Sequence, residues 1–308
     1  MNWAWGLAAA IAIVDAVWMP LAGLRVEPGA LVKSLAAGVG LLILLYVYTY
    51  RRPNAVLAAL LESAAFLVLF THALAISSYL ATALGRPLYD SAFDGFDKAL
   101  GFDFINHLAY VGAHPALALV LEATYATSML QVGAVVLLLA FTQQIDRLRA
   151  FIVLFAATVT VTIIVAAILP TIGTYAFYDV PDALLPPFRD PRTGWDQVGH
   201  VLALRDGTMR TIPLHDLKGL VSFPSFHTSL AMIIVWAMLR TRYATAGFLA
   251  LNLPLILATP TNGSHYLCDI LGGAIIAFAA IGVISGYERR SAVSPLALPM
   301  WEIRSPEP

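Results

Sequence analysis

The chain has 308 residues, of which 59% are hydrophobic and 12% charged, and its mean hydropathy is +0.78. Soluble domains carry charge at about a quarter of their positions, so this balance excludes one and identifies an integral membrane protein. A formal net charge of -1 with no long basic run argues against a nucleic-acid partner, and a single cysteine, Cys268, excludes an internal disulfide and a cysteine metal cluster.

A membrane-spanning helix needs about 20 mostly apolar residues. Eight segments are predicted to span: Trp3–Leu24, Leu31–Tyr50, Ala55–Ala83, Pro115–Phe141, Phe151–Tyr175, His227–Leu239, Tyr243–Pro260 and His265–Tyr287. The sixth is short. The expected fold class is therefore all-α, a polytopic helix bundle. Met1 to Trp5 lacks the basic start of a cleaved signal peptide, so the first segment is read as a retained span.

Basic residues fall in alternate connections: Arg51 and Arg52, Arg147 and Arg149, Arg240 and Arg242, Arg289 and Arg290. Short connections rich in Lys and Arg stay cytoplasmic, which puts both termini on that side. Arg25 and Lys33 dissent, in the first outer loop. A plasma or inner membrane is expected, with the sixth and eighth spans beginning at the extracytoplasmic face.

Two outer connections are long. Residues 85–114 are acidic and aromatic, with Phe93, Phe96 and Leu100 at helical spacing, as in an amphipathic segment lying at the interface. It either covers the bundle or gates lipid entry. Residues 179–222 are punctuated by proline and glycine and lead into Phe223-Pro224-Ser225, so they are expected to fold over whatever that stretch forms. They hold Arg189, Arg192, Arg205, Arg210 and Lys218, of which Arg205 and Lys218 are the best phosphate-binding candidates. Asp15, Glu62, His72 and Glu122 lie inside apolar runs, where an ionised group is costly; helix-packing hydrogen bonds are the favoured reading and a transport pathway the other.

The most informative stretch runs from Phe223 to Asp269. His265 and Asp269 are four residues apart, so on a helix they share a face, and the carboxylate can hold one ring nitrogen while the other meets a substrate. His227 follows Pro224-Ser225 at a helix start, where Ser225 can cap and free N–H groups favour an anion. Two histidines and a carboxylate at one membrane face read as phosphate chemistry. Cys268 is read as a packing residue.

Pro224-Ser225-Phe226-His227 and His265-x-x-x-Asp269 resemble the second and third signatures of the type 2 phosphatidic acid phosphatase superfamily. Two features depart from that pattern: the Ser-Arg expected upstream of the third-motif histidine reads Ala258-Thr259, and no Lys-x6-Arg-Pro motif precedes Phe223. With Tyr266 after His265, the chain is similar to the branch holding inositol phosphorylceramide and sphingomyelin synthases, over roughly residues 170–286. The resemblance implies a six-helix phosphatase-like core within residues 54–290, two accessory spans in 1–53, and a cytoplasmic tail in 291–308. It also implies that His265 attacks phosphorus, Asp269 orients it and His227 serves the leaving oxygen. Ser225, Arg205, Lys218 and Tyr266 are the expected substrate-binding residues, with no metal and no cofactor. The partners are a membrane lipid and an acceptor alcohol or water. Missing cations favour a phosphodiester and hence a transferase; a lipid phosphate phosphatase is the alternative, and a transporter without chemistry the alternative of another class.

Overall fold

The computed structural model describes residues 1–181, 184–185, 196–239 and 242–293. Arg189, Arg192 and Arg240 lie outside the described residues. The chain is a helix bundle: α1 (Asn2–Leu21), α2 (Pro28–Tyr46, extended by a π-helical turn to Arg51), α3 (Ala55–Ala83), α4 (Asp90–Ala99), α5 (Phe104–Gly112), α6 (Pro115–Ala126), α7 (Ser128–Phe141), α8 (Ile145–Ile168), α9 (Thr174–Phe177), α10 (Asp196–Arg205), α11 (Phe226–Met238), α12 (Arg242–Gly263) and α13 (Leu267–Val293). Its strands, β1 (Arg25–Val26) and β2 (Thr211–Ile212), form one short parallel pair.

Six of the described helices are long and apolar enough to cross a membrane: α1, α2 with its π turn, α3, α8, α12 and α13. The count becomes seven if α5 and α6, which meet at 107°, form one broken span. The expectation of eight fails at two places. The predicted span Pro115–Phe141 is interrupted at Thr127, where the hydroxyls of Thr124 and Thr127 bond back to the carbonyls of Val120 and Thr124 at 2.9 and 2.7 Å. Such side-chain bonds compete with the helical ladder and bend it. The other is α11, 13 residues long, as short as its sequence segment. At 1.5 Å per residue it reaches about 20 Å, less than the ~30 Å hydrocarbon thickness.

The core lies among α3, α7, α8, α11 and α13, with Phe66, Phe70, Val135, Phe151, Leu154 and Ile233 fully buried. α12 packs on α6 and α11, while α1 and α2 pack principally on α3. At one end Arg147 of α8 is 6% exposed and ties three helices together. Its guanidinium donates to the carbonyls of Trp236 and Ala237 at the end of α11, lies 3.2 Å from the centroid of the Trp236 ring, and pairs with Glu288 of α13 at 3.7 Å. A cation over the last carbonyls of α11 satisfies groups that the helix itself cannot, at the end where its dipole is negative.

The starts of α11 and α13 meet at the opposite end. A Cβ on Gly273 would sit 2.2 Å from the Ser225 carbonyl oxygen, and the Ser229 hydroxyl donates to the Gly273 carbonyl at 2.7 Å. Only glycine permits this approach, which is how small residues bring membrane helices together. Gly273→Ala is expected to force the helices apart and lower stability by about 1–3 kcal/mol. A thermal midpoint measured in detergent and equal to that of the wild type would show that the contact is slack.

Candidate active site

α11 opens with Ser225 as its cap, the Oγ accepting from the Thr228 N–H at 3.3 Å and from the Thr228 hydroxyl at 3.2 Å. The Ser225 N–H donates to the Asp269 carbonyl at 2.9 Å, which fixes the start of α11 to the first turn of α13. His227 and His265 are thereby brought close, with ring centroids 6.4 Å apart and planes inclined at 64°.

Asp269 is fully buried and its Oδ2 collects three donors: His265 Nδ1 at 3.1 Å, the Tyr266 N–H at 3.0 Å and the Ser222 hydroxyl at 2.9 Å. An acceptor surrounded in this way holds the His265 proton on Nδ1 and leaves the Nε2 lone pair directed away from the carboxylate. Nε2 lies 3.4 Å from Ser225 Oγ. The space beside it is kept open by Gly263, where a Cβ would fall 2.9 Å from His265 Nε2 and 2.8 Å from the Tyr125 hydroxyl.

Tyr125, from the end of α6, stacks on His227 with centroids 4.5 Å apart, and its hydroxyl is 3.2 Å from His227 Nδ1. No motif marked this residue. It lies in the last turn of α6, two residues before the break at Thr127. Glu122, one turn earlier, accepts from the Asn262 amide, so α6 is joined to the segment that precedes His265.

The acidic segment before α5 does more than cover the bundle. Asp90 and Asp97 are 3% and 2% exposed on α4. Asp97 accepts from the N–H groups of Leu267 and Cys268 at 2.6 and 2.9 Å, capping α13 where its dipole favours an anion. Asp90 accepts from Ile172, Gly173 and the Tyr266 hydroxyl at 3.0, 3.1 and 2.9 Å. Burial pushes both carboxyls above the ordinary range, and the N–H bonds pull them part of the way back. The loop holding His265 is thus clamped from outside by α4.

Tyr266, expected to bind substrate, instead faces inward. It is 1% exposed, its hydroxyl is committed to Asp90, and burial drives its pKa upward, so it positions the loop. Lys218 lines a cavity of about 240 Å³ together with His227, and its ammonium pairs with Asp216 at 2.8 Å. Buried Tyr79 receives the Lys218 N–H at 3.3 Å and meets His200 Nδ1 at 2.8 Å. Arg205 lines a crevice of about 20 Å³ with Ser222 and Phe223. Arg210 lies exposed beside Gly23 and Gly207, and His215 pairs with Glu27 at 2.6 Å. Cys268 is part-buried, its Sγ 3.9 Å from Asp269 Oδ1.

A family model described as the PAP2 superfamily matches residues 92–283, which include His227, His265, Asp269, Asp97 and Tyr125. The chain belongs to the PAP2 superfamily. It is therefore an integral membrane enzyme of the lipid phosphatase and phosphotransferase class. Comparison with curated proteins and with solved structures gave no match. The PAP2 stretch begins inside α4, far upstream of the region whose motifs carry the resemblance in sequence, so the Asp97 arm of the α4 clamp lies within it and Asp90 just before it. α1, α2 and α3 precede it.

Proposed function

We propose that the chain transfers a phosphate-bearing headgroup from one membrane lipid to the hydroxyl of another at the extracytoplasmic interface, as inositol phosphorylceramide synthases do, through a phosphohistidine. His265 Nε2 attacks phosphorus; the bond to the leaving lipid oxygen breaks, and His227 gives that oxygen its proton. The acceptor hydroxyl then attacks phosphorus, the N–P bond breaks, and His227 takes the proton of the acceptor. Asp269 keeps the His265 proton on Nδ1 and stabilises the ring when it becomes cationic.

The observation that carries this reading is the convergence of two imidazoles, 6.4 Å between centroids, one of them held by a fully buried carboxylate. Carriage of a solute without chemistry needs no such pair. The cavity beside His227 is walled by apolar side chains including Leu74, Met129, Phe155 and Ile163, which suits an acyl chain, and Lys218 at its wall would exchange its Asp216 partner for the phosphate. A phosphodiester carries one negative charge and is matched by one cation, whereas a phosphomonoester dianion calls for several.

Lys218→Met is expected to lower kcat/KM by about 10- to 100-fold through loss of one charge-assisted hydrogen bond; unchanged kcat/KM would remove Lys218 from the phosphate site. The reading as a whole is tested by giving purified protein a headgroup-labelled phospholipid with and without ceramide or diacylglycerol. Label passing to the acceptor lipid supports transfer, while no transfer together with release of inorganic phosphate from phosphatidic acid would make the enzyme a lipid phosphatase.

A further inference from the structure

The two imidazoles of the site have unlike partners. His265 is held through Nδ1 by the buried carboxylate of Asp269. Among the described residues no acidic side chain bonds to His227; its Nδ1 lies 3.2 Å from the Tyr125 hydroxyl, and the phenol ring lies against the imidazole face, with planes inclined at 29°. Tyr125 is itself held firmly. It packs beside the buried cluster of Leu121, Ala118 and Ala258 between α6 and α12, and Glu122 ties the same turn of α6 to Asn262. A Cβ on Gly263 would clash with the Tyr125 hydroxyl and with His265 Nε2 at once, so the phenol oxygen stands close to both rings.

Which nitrogen of a histidine works on a substrate is set by the hydrogen bond that the other one makes. A phenol oxygen can accept from Nδ1–H whether the ring is neutral or cationic, and an aromatic face attracts a cation lying over it. Tyr125 can therefore do for His227 what Asp269 does for His265, without placing a second negative charge beside Asp269. With Nδ1 turned to Tyr125, Nε2 is the nitrogen left for the cavity that His227 lines together with Lys218.

We propose that Tyr125 is the positioning residue of the proton shuttle: its hydroxyl accepts the Nδ1 proton of His227, which makes Nε2 the atom that gives and takes the transferred proton, and its ring steadies the imidazolium. The tautomer follows from the geometry; its kinetic consequence rests on the reaction proposed above. In the first half of that reaction the Nε2 proton passes to the leaving lipid oxygen as the P–O bond breaks, and His227 becomes neutral with its proton on Nδ1. In the second half Nε2 takes the proton of the acceptor hydroxyl as the N–P bond breaks, and the imidazolium is restored. Tyr125 keeps its own proton throughout.

The first test needs no substrate. The full chain in detergent, labelled with ¹⁵N in its histidine rings, should show neutral His227 with a protonated Nδ1 and a bare Nε2, the signals being assigned by their loss in His227→Ala. Tyr125→Phe, which keeps the ring and removes the hydroxyl, should shift His227 toward the Nε2–H form that free histidine favours. The second test measures headgroup transfer from phosphatidylinositol to ceramide. Tyr125→Phe should lower kcat about tenfold, the loss expected for one hydrogen bond to a charged group, with KM near that of the wild type. Tyr125→Leu, which also removes the ring face, should lower it further, and neither change should slow His227→Ala, because Tyr125 acts through His227. Should Tyr125→Leu not fold, Tyr125→Phe still decides. A wild-type His227 protonated on Nε2, shifts unmoved in Tyr125→Phe, or losses in Tyr125→Phe and His227→Ala that multiply would overturn the assignment. Should the wild type transfer no headgroup, the reaction fails by itself, and the ring-nitrogen shifts still uphold or overturn the role of Tyr125.

Discussion

His265→Ala should lower turnover by at least about 10⁴-fold and His227→Ala by about 10²–10⁴-fold, with thermal midpoints near that of the wild type. The two losses differ in kind. Removing His265 removes the atom that bonds to phosphorus, so no covalent species should form on any substrate. Removing His227 leaves the nucleophile and takes away the proton donor, so a substrate whose leaving group needs no protonation, such as a nitrophenyl ester, should recover much of the lost rate in that variant only. Substantial turnover of a natural phospholipid by His265→Ala would remove it from the chemistry.

Asp269→Asn carries the second large effect. Oδ2 accepts from His265, Tyr266 and Ser222 at once, so the carboxylate sets both the ring orientation and its tautomer. An amide of the same shape can present an N–H to the ring instead, which would move the His265 proton to Nε2 and remove the attacking lone pair. The expected loss in kcat is on the order of 10³–10⁴-fold with little change in KM, because substrate binding does not use this group. The nitrogen shifts of His265 measured by NMR should report the exchanged tautomer. A variant with normal kcat would show that the ring is oriented by packing alone.

Much of this arrangement is legible in the sequence because it is local. His265 and Asp269 are four residues apart and Ser225 lies two residues before His227, so the hydrogen bond and the cap are short-range, although His265 sits in the loop just before α13 and not on the helix itself. Which helix ends meet is legible as well, since the spans alternate. The parts that escape are long-range. Asp90 and Asp97 lie on an amphipathic segment whose charges read as solvated, yet both are buried against backbone N–H groups up to 171 residues away. Tyr125 sits in an apolar run with nothing to distinguish it from a packing aromatic; its contact with His227 joins residues 102 apart in the chain. Tyr266 escapes for the opposite reason. Its place beside His265 suggests a role toward substrate, while its hydroxyl points to Asp90, 176 residues distant in the chain.

The phosphohistidine is what the proposed reaction depends on most, and it can be trapped. Rapid quenching of the enzyme with a headgroup-labelled phospholipid in the absence of acceptor, followed by peptide mapping under alkaline conditions, should place an acid-labile, phosphate-bearing adduct on the peptide containing His265, and His265→Ala should carry none. Turnover that proceeds with no adduct, or with the adduct on His227, would contradict the account.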